Sequence, residues 1–165
     1  MKAKHLFFIL LALCVVFFLT SCDGGGSSGG GDDRTGKTFI VTDISPNPGI
    51  VITRVPGKGI KFTQEGIDQE IHVILKFYDD KTFSSVQKFW MDGVEYMDSV
   101  FTGTWVQNDL TITASATKEK DNLGGTTETI NPPDVVDFTL SADGNTLSQT
   151  EIDPGYQAKL IFTKQ

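Results

Sequence analysis

The chain has 165 residues, 39% hydrophobic and 21% charged, with a formal net charge of -7, which suits one small globular domain and is too little for two. So acidic a balance excludes the dense Lys/Arg surface that supplies most of the affinity for DNA or RNA. Both cysteines, Cys14 and Cys22, fall in the first 22 residues, so the rest of the chain has no thiol for an internal disulfide or a cysteine metal site.

Taken in chain order, Met1 to His5 carries Lys2 and Lys4, Leu6 to Leu19 is an uninterrupted apolar run, and small Thr20 and Ser21 precede Cys22. This is the charged, apolar and cleavage layout of a secretory signal. As a helix the run would span roughly 21 Å, short of the ~30 Å hydrocarbon core, so export and removal are expected rather than a permanent span. Leu19-Thr20-Ser21-Cys22 resembles a bacterial lipobox. The resemblance implies that residues 1–21 are a signal peptide and that the Cys22 thiol receives diacylglycerol, with palmitate-type acyl chains, at the mature N-terminus. At about 0.8 kcal/mol per buried CH₂, two or three such chains form a stable membrane anchor. Cleavage removes Lys2 and Lys4, leaving 12 basic and 21 acidic side chains, a net charge of -9.

Residues 22–34 read as the lipidated cysteine and its tether: Asp23 to Asp33 is Gly, Ser and Asp throughout, with nothing apolar to bury and an r.m.s. reach of roughly 18 Å. The Gly-rich spacer resembles those of surface-displayed lipoproteins. The expected location is the bacterial cell envelope, with the outer membrane or cell surface favoured over the inner membrane.

Gly31-Asp32-Asp33-Arg34-Thr35-Gly36-Lys37-Thr38 matches the Walker A pattern. That motif needs a buried strand before it and a helix after it, so that backbone N–H groups converge on the phosphates. Here a Gly/Ser tether precedes it and the β-branched stretch Phe39 to Ile44 follows, so nucleotide binding is not expected.

From residue 35 to 165 nearly every segment alternates apolar and polar residues between turn signals, which predicts strands. They are expected over Thr38–Ile44, Ile50–Val55, Ile60–Thr63, Glu70–Tyr78, Thr82–Met91, Val94–Val106 as one bent strand or two, Leu110–Thr117, Val135–Ser141, Thr146–Ile152 and Tyr156–Lys164. Asp92-Gly93 and Asp143-Gly144-Asn145 read as hairpin turns. Lys118 to Asp134, polar and holding Gly124-Gly125 and Pro132-Pro133, reads as one long connector. The fold class is all-β: an antiparallel up-and-down meander of eight to ten strands, closed as a barrel because closure removes exposed edges.

Gly36-Lys37 at the domain start, Phe101-Thr102-Gly103-Thr104-Trp105, Leu140 to Leu147 and the closing Leu160-Ile161-Phe162-Thr163-Lys164 together resemble bacterial lipocalin-like lipoprotein domains. The resemblance covers residues 35–165 and implies a lipocalin-like β-barrel. Lipocalins keep Gly-x-Trp on the first strand, whereas here it stands mid-chain at Gly103–Trp105.

No Ser-His-Asp or Cys-His set can be assembled, so no catalytic residue, metal site or cofactor is assigned and an enzyme is not expected. His72 reads as a lone exposed histidine on the polar face of its strand, and the carboxylate pair Asp79-Asp80 as solvated turn residues. Phe77, Phe83, Phe89, Trp105, Phe138 and Phe162 occupy apolar strand faces, where they either fill the barrel or line a lumen. Two functions compete. One is a lipid-anchored envelope lipoprotein whose barrel binds a small apolar or amphipathic ligand; the other is a solid barrel that contacts an envelope or host protein. The partners expected are a membrane through the N-terminal lipid and one of those two, not nucleic acid.

Overall fold

The structure, a computed structural model, describes residues 34–45, 50–64, 66–153 and 156–165; the signal segment, Cys22 and the tether lie outside them. The alternation produces ten strands: β1 (Gly36–Ser45), β2 (Thr53–Val55), β3 (Gly59–Gln64), β4 (Ile67–Tyr78), β5 (Thr82–Met91), β6 (Val94–Asn108), β7 (Thr111–Asp121), β8 (Thr126–Leu140), β9 (Thr146–Asp153) and β10 (Tyr156–Lys164). From β2 through to β10 each strand pairs antiparallel with the next.

Closure comes from β1. One of its edges pairs with β10, from Phe39 opposite Lys164 to Ser45 opposite Lys159. The other pairs with the C-terminal half of β4, from Gly36 opposite Tyr78 to Ile40 opposite Ile74. Eight strands, β1 and β4 to β10, therefore form a closed antiparallel barrel. The N-terminal half of β4 turns the same edge to β3, with Gly59 opposite His72 and Gln64 opposite Ile67, and β2 extends that flap. The fold is thus an eight-strand antiparallel barrel with a two-strand extension.

Turn chemistry holds the register. At the β5–β6 hairpin Asp92 and Gly93 have φ values of 47° and 80°, the paired positive values that match a two-residue turn to the strand twist. At the β8–β9 turn the Asp143 carboxylate accepts from the Ser141 hydroxyl and, at 3.0 Å, from the Asn145 backbone N–H.

Two expectations are corrected, for Lys118–Asp134 and for His72, and one alternative is decided, for the strand that starts at Val94. Lys118 to Asp134 is not a connector: Lys118–Asp121 continue β7 opposite Ser99–Thr102 of β6, and Thr126–Thr129 return as β8 opposite them. Polar side chains occupy both faces of this hairpin, so it lacks the alternation by which a half-buried strand is recognised. Val94–Asn108 is one strand, bent by a register shift between Thr102 and Gly103. Finally His72 is only 8% exposed. It does face outward, but the Trp90 ring covers it, with centroids 4.5 Å apart.

The core is the barrel's inner face. Phe39, Val41, Ile71, Leu75, Phe77, Phe101, Ile112, Leu147 and Phe162 are all essentially removed from solvent, and each fully buried side chain of this size contributes roughly 1.5–3 kcal/mol of hydrophobic stabilisation.

Candidate functional site

The barrel interior divides along its axis. At the end where the β4–β5 turn lies, Phe77 is the centre of an aromatic cluster. It meets Phe39 at 6.2 Å, Trp105 at 5.6 Å and Phe138 at 5.9 Å edge to face, and Phe83 at 6.4 Å near-parallel; Phe138 carries the chain of rings on to Phe162 at 6.0 Å. Each such pair adds about 0.5–1.5 kcal/mol beyond the area it buries. The Trp105 indole N–H donates to the Tyr78 carbonyl at 2.9 Å, and the Lys81 ammonium lies 4.2 Å above the indole. Rings and strand ends together close this end of the barrel.

Of the six residues read from the sequence as lumen candidates, Phe77, Phe83, Trp105, Phe138 and Phe162 meet in this cluster. Phe89 does not join them. It is buried opposite Met97 and Ile71, six residues along β5 from Phe83 and so about 20 Å nearer the other end.

Between Phe83 and Phe89 the inner face changes character. Ser85 and Gln87 on β5, Ser99 on β6 and Gln149 on β9 are buried, and the small side chains Ala114, Ala116 and Ala158 point in from β7 and β10. The Gln87 amide donates to the Ser85 hydroxyl at 3.2 Å, and the Ser99 hydroxyl donates to Glu119 at 3.0 Å. Register explains the grouping. Ser85, Phe101, Glu119 and Glu128 form one row across β5, β6, β7 and β8, and Gln87, Ser99 and Asp121 form the next.

Glu119 thus stands on the inner face beside Phe101. Burial pushes its carboxyl above the ordinary glutamate value; the Ser99 hydrogen bond opposes this, while the charges of Asp121, Glu128 and Asp134 add to it. Asp134 is also raised, by burial. These are the functional candidates that the sequence reading missed, because it took their segment for a loop.

The ladder between β8 and β9 is the weak part of the barrel wall. Among the described residues these strands pair only at Thr139 opposite Ser148 and Leu140 opposite Leu147, although β8 is 15 residues long and β9 eight. β8 is itself irregular before this stretch. The four residues Ile130-Asn131-Pro132-Pro133 are looped out between Thr129 and Asp134, which face Lys118 and Ala116 of β7 across only one intervening residue. Proline has no N–H for a ladder, and Ile130 turns into the core. Among the described residues the β8–β9 ladder is thus missing along a seam bordered by Asp134, Val136 and Phe138 on one side and Gln149 on the other.

On the outer wall, His72 Nε2 lies 2.6 Å from the Glu70 carboxylate, and Lys88 lies 2.6 Å from Asp98 and 3.7 Å from Glu95. Asn122 donates to Asp98 at 2.8 Å, tying the β7–β8 turn to β6. No group of three or more His, Cys, Asp or Glu side chains among the described residues is placed to hold a metal ion. The second half of the Walker match lies in β1, where Lys37 and Thr38 pair with Phe77 and Lys76. The Trp90 ring packs on His72, and Tyr96 stands 53% exposed at the β5–β6 tip.

Comparison with protein-family models, with curated proteins and with solved structures finds no match to this chain.

Proposed function

We propose that this chain is an envelope lipoprotein, tethered through Cys22, whose barrel holds a small amphipathic molecule. The apolar part rests against the aromatic cluster, and the polar part reaches the Ser99–Glu119 region beside the seam. The observation that carries this reading is the change along the inner face, from interlocked rings to small and polar side chains where β8 leaves β9. Ligand sites characteristically combine an apolar wall with a few convergent polar groups, often at the mouth of a barrel. A barrel of eight strands is just wide enough to hold one small molecule.

The test is chemical. Mass spectrometry of organic extracts from the full chain, purified in mild detergent without denaturation, is expected to show one amphiphile at near-stoichiometric amount. Fatty acids and fatty amines are expected to compete and to change Trp105 fluorescence. Extracts identical to a buffer-and-detergent blank, with no fluorescence response, would remove the proposal. The competing reading is a solid barrel that contacts another protein; it draws on the packed aromatic half, where ring edges already meet ring faces.

A further inference from the structure

The strand edge along the seam calls for an explanation of its own, whatever the lumen holds. In a strand, alternate residues turn their N–H and C=O groups to opposite sides. Among the described residues, β8 before Thr139 is paired only on the side that faces β7. Pro132 and Pro133 blunt the middle of this edge, as proteins commonly do to protect an open edge, but Asp134 to Phe138 contains no proline. That is a free edge five residues long, roughly 17 Å. Val135, on its outer side, is 62% exposed.

Charge decides what could pair there. The 38 residues from Asp121 to Ala158, which include all of β8 and β9, contain seven Asp or Glu and no Lys, Arg or His. Asp134 and Asp137 lie on the free edge itself, and Glu128 lies just beyond the prolines. A second copy of this chain would bring an equally acidic strand against the first, so self-pairing is opposed. The Asp-bearing tether is opposed for the same reason.

We propose that the β8 edge at Asp134–Phe138 is a docking site for an extended, basic segment of another protein, which adds as a strand and sets Lys or Arg on the outer face beside Asp137 and apolar side chains on the inner face beside Val136. Main-chain hydrogen bonds supply the pairing and alternate side chains the specificity, as in other cases of strand addition. The acidic surroundings select against acidic partners and speed the encounter.

The probe is a ten-residue capped peptide alternating lysine and valine, added to the full chain in detergent micelles. Saturable binding is expected, weakened by salt, together with slowed amide exchange confined to Asp134–Phe138 and its β7 partners. Three comparisons should each lower affinity at least about tenfold, or about 1.4 kcal/mol. They are the same peptide N-methylated at alternate residues, a glutamate–valine peptide, and the D137N variant, whose folding is checked by circular dichroism. Equal binding of the N-methylated peptide would reduce the effect to charge alone and overturn the proposal. So would protection at another strand, or no binding at all. A concentration-dependent dimer that protects the same amides without peptide would make a second copy the occupant and overturn it equally.

Discussion

The indole N–H of Trp105 donates to the backbone carbonyl of Tyr78 at 2.9 Å, tying β6 to the end of β4 across the intervening β5. Trp105 also sits edge-on to Phe77, so one side chain supplies both the hydrogen bond and a ring contact at the closed end. W105F keeps a ring but leaves the Tyr78 carbonyl without this donor. That carbonyl still accepts the Lys81 backbone N–H at 3.1 Å, so a loss of about 0.5–1.5 kcal/mol is expected, the net worth of one hydrogen bond. Urea unfolding measures it, and a midpoint unchanged from the parent would show that the bond carries no stability.

Gly103 lies where β6 changes register, opposite Ala116. A Cβ there would stand 1.9 Å from the Ser115 carbonyl oxygen and 2.9 Å from the Phe83 ring. The first obstacle is backbone and has little freedom to move. G103A is therefore expected to cost about 1–3 kcal/mol or more through overpacking. Thermal unfolding followed by near-ultraviolet circular dichroism reads both the loss and any disturbance of the aromatic cluster.

The half-buried carboxylates set a pH dependence whose sign can be worked out. Glu119 and Asp134 have folded-state values above their ordinary ones, so the folded protein binds more protons than the unfolded chain across that interval. Stability from these groups is full below the ordinary carboxylate range and is lost as pH rises through their folded values. E119Q, which keeps an acceptor for Ser99, should melt higher than the parent at neutral pH, and the gap should close below about pH 4. Asp143 behaves oppositely. The hydrogen bonds from Ser141 and Asn145 lower its value, so its contribution is present above the ordinary aspartate value and fades as pH falls through the lowered one. Melting curves of parent, E119Q and D143A across pH 3 to 8, a range chosen to bracket ordinary carboxylate values, separate the two.

Ala158 points inward from β10, two inner positions beyond Phe162 on the side away from the aromatic cluster, with Leu160 between them. If the interior there holds an amphiphile, A158L should take up part of its space. The expected result is a several-fold drop in the amphiphile extracted with little change in melting temperature. If the interior is already packed, overpacking should cost about 1–3 kcal/mol instead, and the ligand proposal would lose its support.

Anchoring is tested at Cys22. C22A is expected to abolish metabolic labelling with palmitate and to leave a precursor of unprocessed size. Continued membrane retention of the variant through a lipid would contradict the reading.

Much of the fold was legible because its strands obey one rule. Phe83, Ser85, Gln87 and Phe89 face inward while the residues between them face outward, and a segment in which at least part of one face is apolar reveals its period of two. The aromatic end was equally legible, since Phe77, Phe83, Trp105, Phe138 and Phe162 are bulky residues on apolar faces. Lys118 to Thr129 was not, because its inward-facing side chains are polar too, and Glu119 looks no different from a loop residue. His72 was misplaced for a related reason: its position on a polar face was read correctly, but the Trp90 ring that covers it comes from a neighbouring strand.

By itself the sequence determined the class of fold, the hairpin order and the turns at Asp92-Gly93 and Asp143-Asn145, because these depend on residues close together along the chain. Tertiary structure alone decided that β1 closes the barrel by leaving β4 at Ile40, where β3 takes over that edge. It alone decided that four carboxylates gather beside Phe101 and that β8 parts from β9 after two pairs. Those features arise from register between distant strands, and a register is chosen by the packing of both faces of the sheet at once. No local pattern contains that information.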